Sequence, residues 1–107
     1  MTMEKQALLQ SYQVGDLNLK NRVIMAPMTR SRAENDANAP TDMHVTYYTQ
    51  RAGAGLIISE GSQVSSRAVG YINTAGIHSQ EQVEGWKKVT EAVHKDGGKI
   101  FIQLWHV

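Results

Sequence analysis

The sequence predicts an α/β fold in which parallel strands are linked by helices. Three short runs rich in apolar residues, Val23–Ala26, Leu56–Ser59 and Lys99–Leu104, have the length and composition of strands. The segments between them carry helix-start and helix-stop signals about ten to fifteen residues apart, the spacing of right-handed βαβ units with parallel pairing. Each run also ends in polar or turn-forming residues, at Pro27-Met28-Thr29, Glu60–Gln63 and Gln103–Trp105. Ligands in such folds bind just beyond the carboxyl ends of the strands, in closed barrels and open sheets alike.

Composition bounds the function classes. At 107 residues the chain has the size of one small domain, and 41% hydrophobic with 20% charged residues is a globular composition. Eleven basic and ten acidic residues, well mixed, leave a net charge of +1 and no footprint for nucleic acid or an anionic membrane. No apolar run approaches the roughly 18 residues of a membrane helix, and MTMEKQALLQ lacks a signal-peptide layout. Without cysteine there is no disulfide and no thiolate metal site, and the default location is the cytoplasm.

In chain order, residues 1–10 read as a loose leader with a helical turn over Glu4–Gln10. In SYQVGDLNLKN, Tyr12 and Val14 face Leu17 and Leu19 across Gly15-Asp16, a pair suited to a two-residue type II′ hairpin. Such a hairpin is marginal alone and must lie on something larger. The first strand, a buried one over Val23–Ala26, is halted by Pro27, which has no N–H for a ladder. After the turn formers Asn35–Pro40, Thr41 caps a helix running to about Gln50, with Asp42 in its favourable first turn and Gly53 and Gly55 beyond its end. Leu56–Ser59 is the second strand, followed by a polar loop holding Gly70, Tyr71 and Gly76. Ser79 and Gln82 form an S-x-x-Q capping box, and Val83, Trp86, Val89 and Val93 recur at helical spacing until Gly97-Gly98. Lys99–Leu104 is the third strand, running into Trp105-His106. The order is hairpin, strand, helix, strand, helix, strand.

Parallel strands place Thr29, Glu60–Gln63, Gln103 and Trp105 on one rim. No nucleophile–base arrangement exists among them. A hydroxyl, a primary amide and an indole suit hydrogen bonding and flat contact with a planar ligand. Taken one at a time, each has a structural reading: Thr29 as a turn cap, Trp105 as core, Glu60 in a structural ion pair or hydrogen bond, and Arg30 and Arg32 as partners of acidic groups. His44 and His94 fall inside helices and read as surface residues. One of Tyr47 and Tyr48 should point inward and the other be wetted. Four scattered histidines suggest no metal site.

The segments NRVIMAPMTRSRA, YYTQRAGAGLIISEG, GYINTAGIHS, EQVEGWKKVTEAVH and IFIQLWHV together resemble the N-terminal part of the old yellow enzyme family, from about Leu8 to Val107. The resemblance implies an FMN-dependent ene reductase on a TIM (β/α)8 barrel. Residues 1–107 would be the N-terminal part of one flavin-binding barrel domain. It implies that Pro27, Met28 and Thr29 contact the flavin ring, that Gly61 lies against it, and that Gln103 reads its pyrimidine edge. Trp105 and, less directly, Tyr71 would line the substrate pocket. No catalytic residue is assigned. The implied reaction takes hydride from NAD(P)H and delivers it to an α,β-unsaturated carbonyl or nitro compound.

A full barrel needs eight βα units and about 250 residues. The substrate-gripping His/Asn pair, the tyrosine proton donor, a flavin-contacting arginine and the phosphate-binding loops would all lie beyond Val107. Three parallel strands leave raw edges and an uncovered inner layer. The chain alone is therefore expected not to be a stable monomeric enzyme. A second polypeptide supplying the remaining strands, or further copies of the chain, would complete it. The rival reading is a non-catalytic fragment or assembly module that oligomerises without flavin.

Overall fold

A computed structural model describes residues 6–107. The expected helical turn over Glu4–Gln10 begins outside the described residues; within them it is a single 3-10 turn, Ala7–Leu9. The hairpin forms as expected. β1 (Tyr12–Val14) pairs antiparallel with β2 (Leu17–Leu19), Tyr12 opposite Leu19 and Val14 opposite Leu17. Gly15 turns the corner at φ +57°, which costs a glycine nothing.

The central sheet is parallel and three-stranded, in the order β3 (Ile24–Met25), β4 (Leu56–Ile58), β6 (Ile100–Phe101). Its register pairs Met25 with Ile57 and Ile57 with Ile100, so these three form a row on one face. Two shorter strands, β5 (Ser62–Gln63) and β7 (Leu104–Trp105), continue β4 and β6 and pair with each other in parallel. The expected second and third strands are thus each broken once, and the reason is a bulge. The Ser59 N–H donates to the Phe101 carbonyl and the Ser62 N–H to the Gln103 carbonyl, so three steps on one strand are matched by two on the other. The Ser59 hydroxyl fills the gap by accepting the Gln103 N–H at 3.2 Å.

Two helices cover one face. α1 (Asp42–Thr49) is capped by Thr41, and α2 (Gln80–Lys95) by Ser79, both through reciprocal capping boxes. Trp86, Val89 and Val93 of α2 meet Tyr48 and Ala52 and the Ile57–Ile100 row to form the core. Val83, expected on that buried stripe, is 41% exposed. Its place is taken by Gln82 and Gly85, which turn toward the Asn35–Pro40 loop: the Gln82 amide donates to the Ala37 carbonyl, and a Cβ at Gly85 would strike Pro40.

The first strand is not buried as expected. Val23 and Ala26 are exposed and Ile24 is 50% exposed, because nothing among the described residues lies over its inner face. Phe101 shares that open side.

Candidate functional site

The parallel register brings the carboxyl ends of β3, β4–β5 and β6–β7 to one end of the sheet. Past β3 the chain turns extended through Pro27, Met28 and Thr29, with Met28 and Thr29 exposed. The Thr29 hydroxyl has no hydrogen-bond partner among the described residues; only its carbonyl is engaged, by Arg30 Nε at 3.1 Å. The Gln103 side chain is likewise exposed and its amide unpartnered among the described residues, while its backbone is held in the ladder. A free hydroxyl and a free amide therefore stand on the two outer strands of the sheet.

Between them, the bulge sets Gly61. A Cβ there would run into the indole of Trp105, so only glycine lets ring and backbone approach this closely. On its other side the indole stacks with Tyr71, centroids 5.7 Å apart and planes 25° apart. Gly61, Trp105 and Tyr71 thus form one contiguous wall, with Tyr71 largely exposed and Trp105 half-buried.

The bulge sends Glu60 the opposite way, into the space beneath α1. The Tyr48 hydroxyl donates to the Glu60 carboxylate at 2.5 Å and accepts the Glu60 N–H at 2.9 Å. Burial first, and the Glu60 charge second, push the Tyr48 hydroxyl well above the ordinary tyrosine value, so it remains a donor. His44 is 3% exposed, which corrects its reading as a surface residue. As the third residue of α1 its Nδ1 accepts the Thr41 N–H, which leaves the ring hydrogen on Nε2, 3.7 Å from the Glu60 carboxylate. Neither the carboxylate nor the tyrosine was assigned a catalytic part from sequence, and their geometry is that of a structural clamp on the bulge. Beside them opens a cavity of about 240 Å³ lined by Arg30, Arg32, Met43, His44, Tyr47 and Glu60. Both arginines donate to nearby carbonyl groups of their own loop, not to acidic partners.

Residues 7–107 match the model of the NADH:flavin oxidoreductase / NADH oxidase family. The chain belongs to that family. Among curated relatives it is 45% identical over 101 residues to 12-oxophytodienoate reductase 1 of Oryza sativa subsp. japonica, covering 94% of this chain and 26% of the relative. Among solved structures it superposes with a TM-score of 0.89 on morphinone reductase in complex with tetrahydroNAD, at 52% identity over 96% of this chain and 28% of that one. The old yellow enzyme homologue from Zymomonas mobilis gives the same TM-score at 47% identity, covering 95% and 28%. The chain spans about a quarter of the length of the curated relatives it matches. The family's cofactor is FMN and its reductant a nicotinamide.

The rim fits such a cofactor. A flavin ring presents a flat face and an edge of alternating donors and acceptors, and the rim offers a free hydroxyl at Thr29 and a free donor–acceptor amide at Gln103. Sequence reasoning placed Gln63 on the rim within Glu60–Gln63 but gave it no part of its own; it is buried at the base of the aromatic wall. The only signal in the sequence was its position two residues past the glycine.

Proposed function

We propose that this chain is the N-terminal portion of an FMN-dependent NAD(P)H oxidoreductase that reduces the C=C bond of α,β-unsaturated carbonyl or nitro compounds. The observation that carries this reading is the pairing of two unpartnered polar groups, Thr29 and Gln103, with a glycine seated under an indole, all at one sheet end. FMN, when bound, supplies the two-electron chemistry that links nicotinamide oxidation to alkene reduction. Thr29 donates a hydroxyl hydrogen bond to it, favouring its electron-rich form, with the Pro27-Met28 backbone alongside. Gln103 reads its polar edge with both halves of the amide. Gly61 leaves room for close approach. Trp105 and Tyr71 bound the side on which the alkene lies.

The rest of the barrel, which a second polypeptide or further copies of this chain could supply, would cover the inner face and the outer strands. The open inner face and unpaired outer strands support this, since parallel strands are stable only when covered on both faces. Among the described residues no helix is long and apolar enough to cross a membrane; a cytoplasmic location is part of the proposal.

A visible absorption spectrum with mass analysis of the purified protein tests the reading. Yellow protein containing the rest of the barrel is the expected result. Colourless protein made of this chain alone overturns it and leaves an assembly module without activity. In the assembled enzyme, Thr29→Ala should slow flavin reduction by NAD(P)H, and an unchanged reductive rate removes Thr29 from its assigned part.

A further inference from the structure

We propose that Gln63 is a positioning residue that sets the Tyr71–Trp105 wall, and so governs which alkenes the pocket accepts. The proposal rests on the reading that this wall faces the substrate.

Gln63 is 1% exposed and every atom of its amide is engaged. Its Nε2 donates to the Thr74 carbonyl at 2.8 Å. Its Oε1 accepts from the Thr74 hydroxyl at 3.0 Å and from the Trp105 indole N–H at 3.4 Å. Because a carbonyl can only accept and an indole N–H can only donate, these partners leave the amide one orientation. The same Thr74 hydroxyl lies 3.2 Å from the Tyr71 carbonyl, so its single proton is shared between the Gln63 amide oxygen and the backbone of the loop tyrosine. The Gln63 carbonyl accepts the Ile77 N–H at 3.0 Å, which closes the neck of the 64–76 loop on the same residue.

One buried amide therefore joins the two aromatic residues of the wall, one delivered by a strand end and the other by a loop. On the far side of the indole, Gly61 leaves no slack. The ring is thus bounded by Gly61 on one face and Tyr71 on the other, with its N–H held by Gln63. Loss of the amide oxygen frees the indole to tilt and loosens the loop carrying Tyr71, which changes the width of the slot without touching Thr29 or Gln103.

The test uses the flavin-loaded protein with its complete barrel and 2-cyclohexenone as probe. In Gln63→Leu the KM for the enone should rise about five- to tenfold, the scale of one lost hydrogen bond. Flavin content and the limiting rate of flavin reduction should stay as they were. Gln63→Glu keeps an acceptor oxygen for the indole and, only when protonated, a donor for the Thr74 carbonyl, so it should recover most of the affinity on the acid side of the pH profile. In a Trp105→Phe background, which lacks the N–H, Gln63→Leu should add nothing further. The indole N–H resonances of Trp105 and Trp86 report the geometry: that of Trp105 should move in Gln63→Leu, while that of Trp86, bonded to the Gly76 carbonyl, serves as the reference for an intact fold. If Gln63→Leu disturbs Trp86 as well, Thr74→Val replaces it and must move the Trp105 resonance alone. An unmoved Trp105 resonance, or an equal KM rise in the Trp105→Phe background, overturns the part given to Gln63. A colourless wild-type assembly that oxidises no NAD(P)H overturns instead the flavoenzyme reading on which the pocket rests.

Discussion

The two faces of the central sheet carry similar side chains in opposite environments. On the helix side, Ile57 and Ile100 are sealed beneath Trp86, Val89 and Val93. On the other side, Ile24 of β3 and Phe101, the residue after Ile100 on β6, stand half exposed. Hydrophobicity does not separate these residues; cover does. The difference teaches where stability and function reside. The covered face holds the chain's own core, and the uncovered face with its rim holds the groups free to meet something else. Substitutions that act on one face and spare the other test that division.

The largest effect is expected on the covered side. Trp86 is fully buried and its indole N–H donates to the Gly76 carbonyl at 3.0 Å, so it ties the rim loop to α2 as well as filling the core. Trp86→Ala should cost about 3–5 kcal/mol, by analogy with other large-to-small core substitutions. The urea midpoint, measured at fixed protein concentration beside the parent chain, checks it. A loss no larger than that of a surface change would mean that the core lies elsewhere.

Next comes the clamp beneath the bulge. Tyr48→Phe strands both the buried Glu60 carboxylate and the Glu60 N–H, and should cost about 2–4 kcal/mol. It carries a pH signature as well. The folded-state pKa of Tyr48 is raised above its unfolded value, so its contribution is fully present below the ordinary tyrosine value of about 10 and is lost as pH rises past it. The urea midpoint of the parent should fall faster above that pH than the midpoint of Tyr48→Phe. Parallel curves for the two proteins would show that the phenol ionises as freely in the folded chain as in the unfolded one.

These two sites also mark the boundary of what the sequence discloses. Helices were legible because their signals are local: Thr41 and Ser79 announce caps, and both boxes form. The parallel order followed from helix–strand alternation. The bulge was not legible, because its cause is a hydroxyl, Ser59, accepting an N–H from a residue 44 positions away. His44 was misread for a related reason. A histidine in a helix says nothing about burial until the carboxylate it faces has been turned inward by that bulge. Val83 fits helical periodicity as well as Val89 does, but the loop at Asn35–Pro40 claims the neighbouring face for Gln82 and Gly85. The rim residues Thr29, Gly61, Gln103 and Trp105 were grouped by their places at the strand ends, and motif resemblance gave them their individual parts. The geometry adds that Gly61 is needed small for the indole of Trp105 as well.

A smaller effect belongs to the cap of α2. Ser79→Ala removes the acceptor for the Gln82 N–H and should cost about 1 kcal/mol, read as a modest drop in the urea midpoint. Part of the box survives, because the Gln82 amide oxygen still accepts both the His78 and Ser79 N–H groups. A loss as large as that of Tyr48→Phe would mean the cap also anchors the Ala37 contact made by the same glutamine.

The smallest effect on stability should come from the open face, and there the comparison is sharpest. Phe101 pairs in register with Ile58 and is 53% exposed, so in the chain as it stands Phe101→Ser removes little buried area and should change the urea midpoint by no more than about 0.5 kcal/mol. Its effect should appear in association. An exposed aromatic side chain on an open face of a parallel sheet is surface free to be buried in association. Sedimentation of parent and variant over a concentration series separates the two kinds of consequence. A shift toward smaller species at unchanged midpoint assigns Phe101 to assembly and upholds the division between the faces. A lowered midpoint with unchanged association would place Phe101 in the chain's own core and erase the distinction.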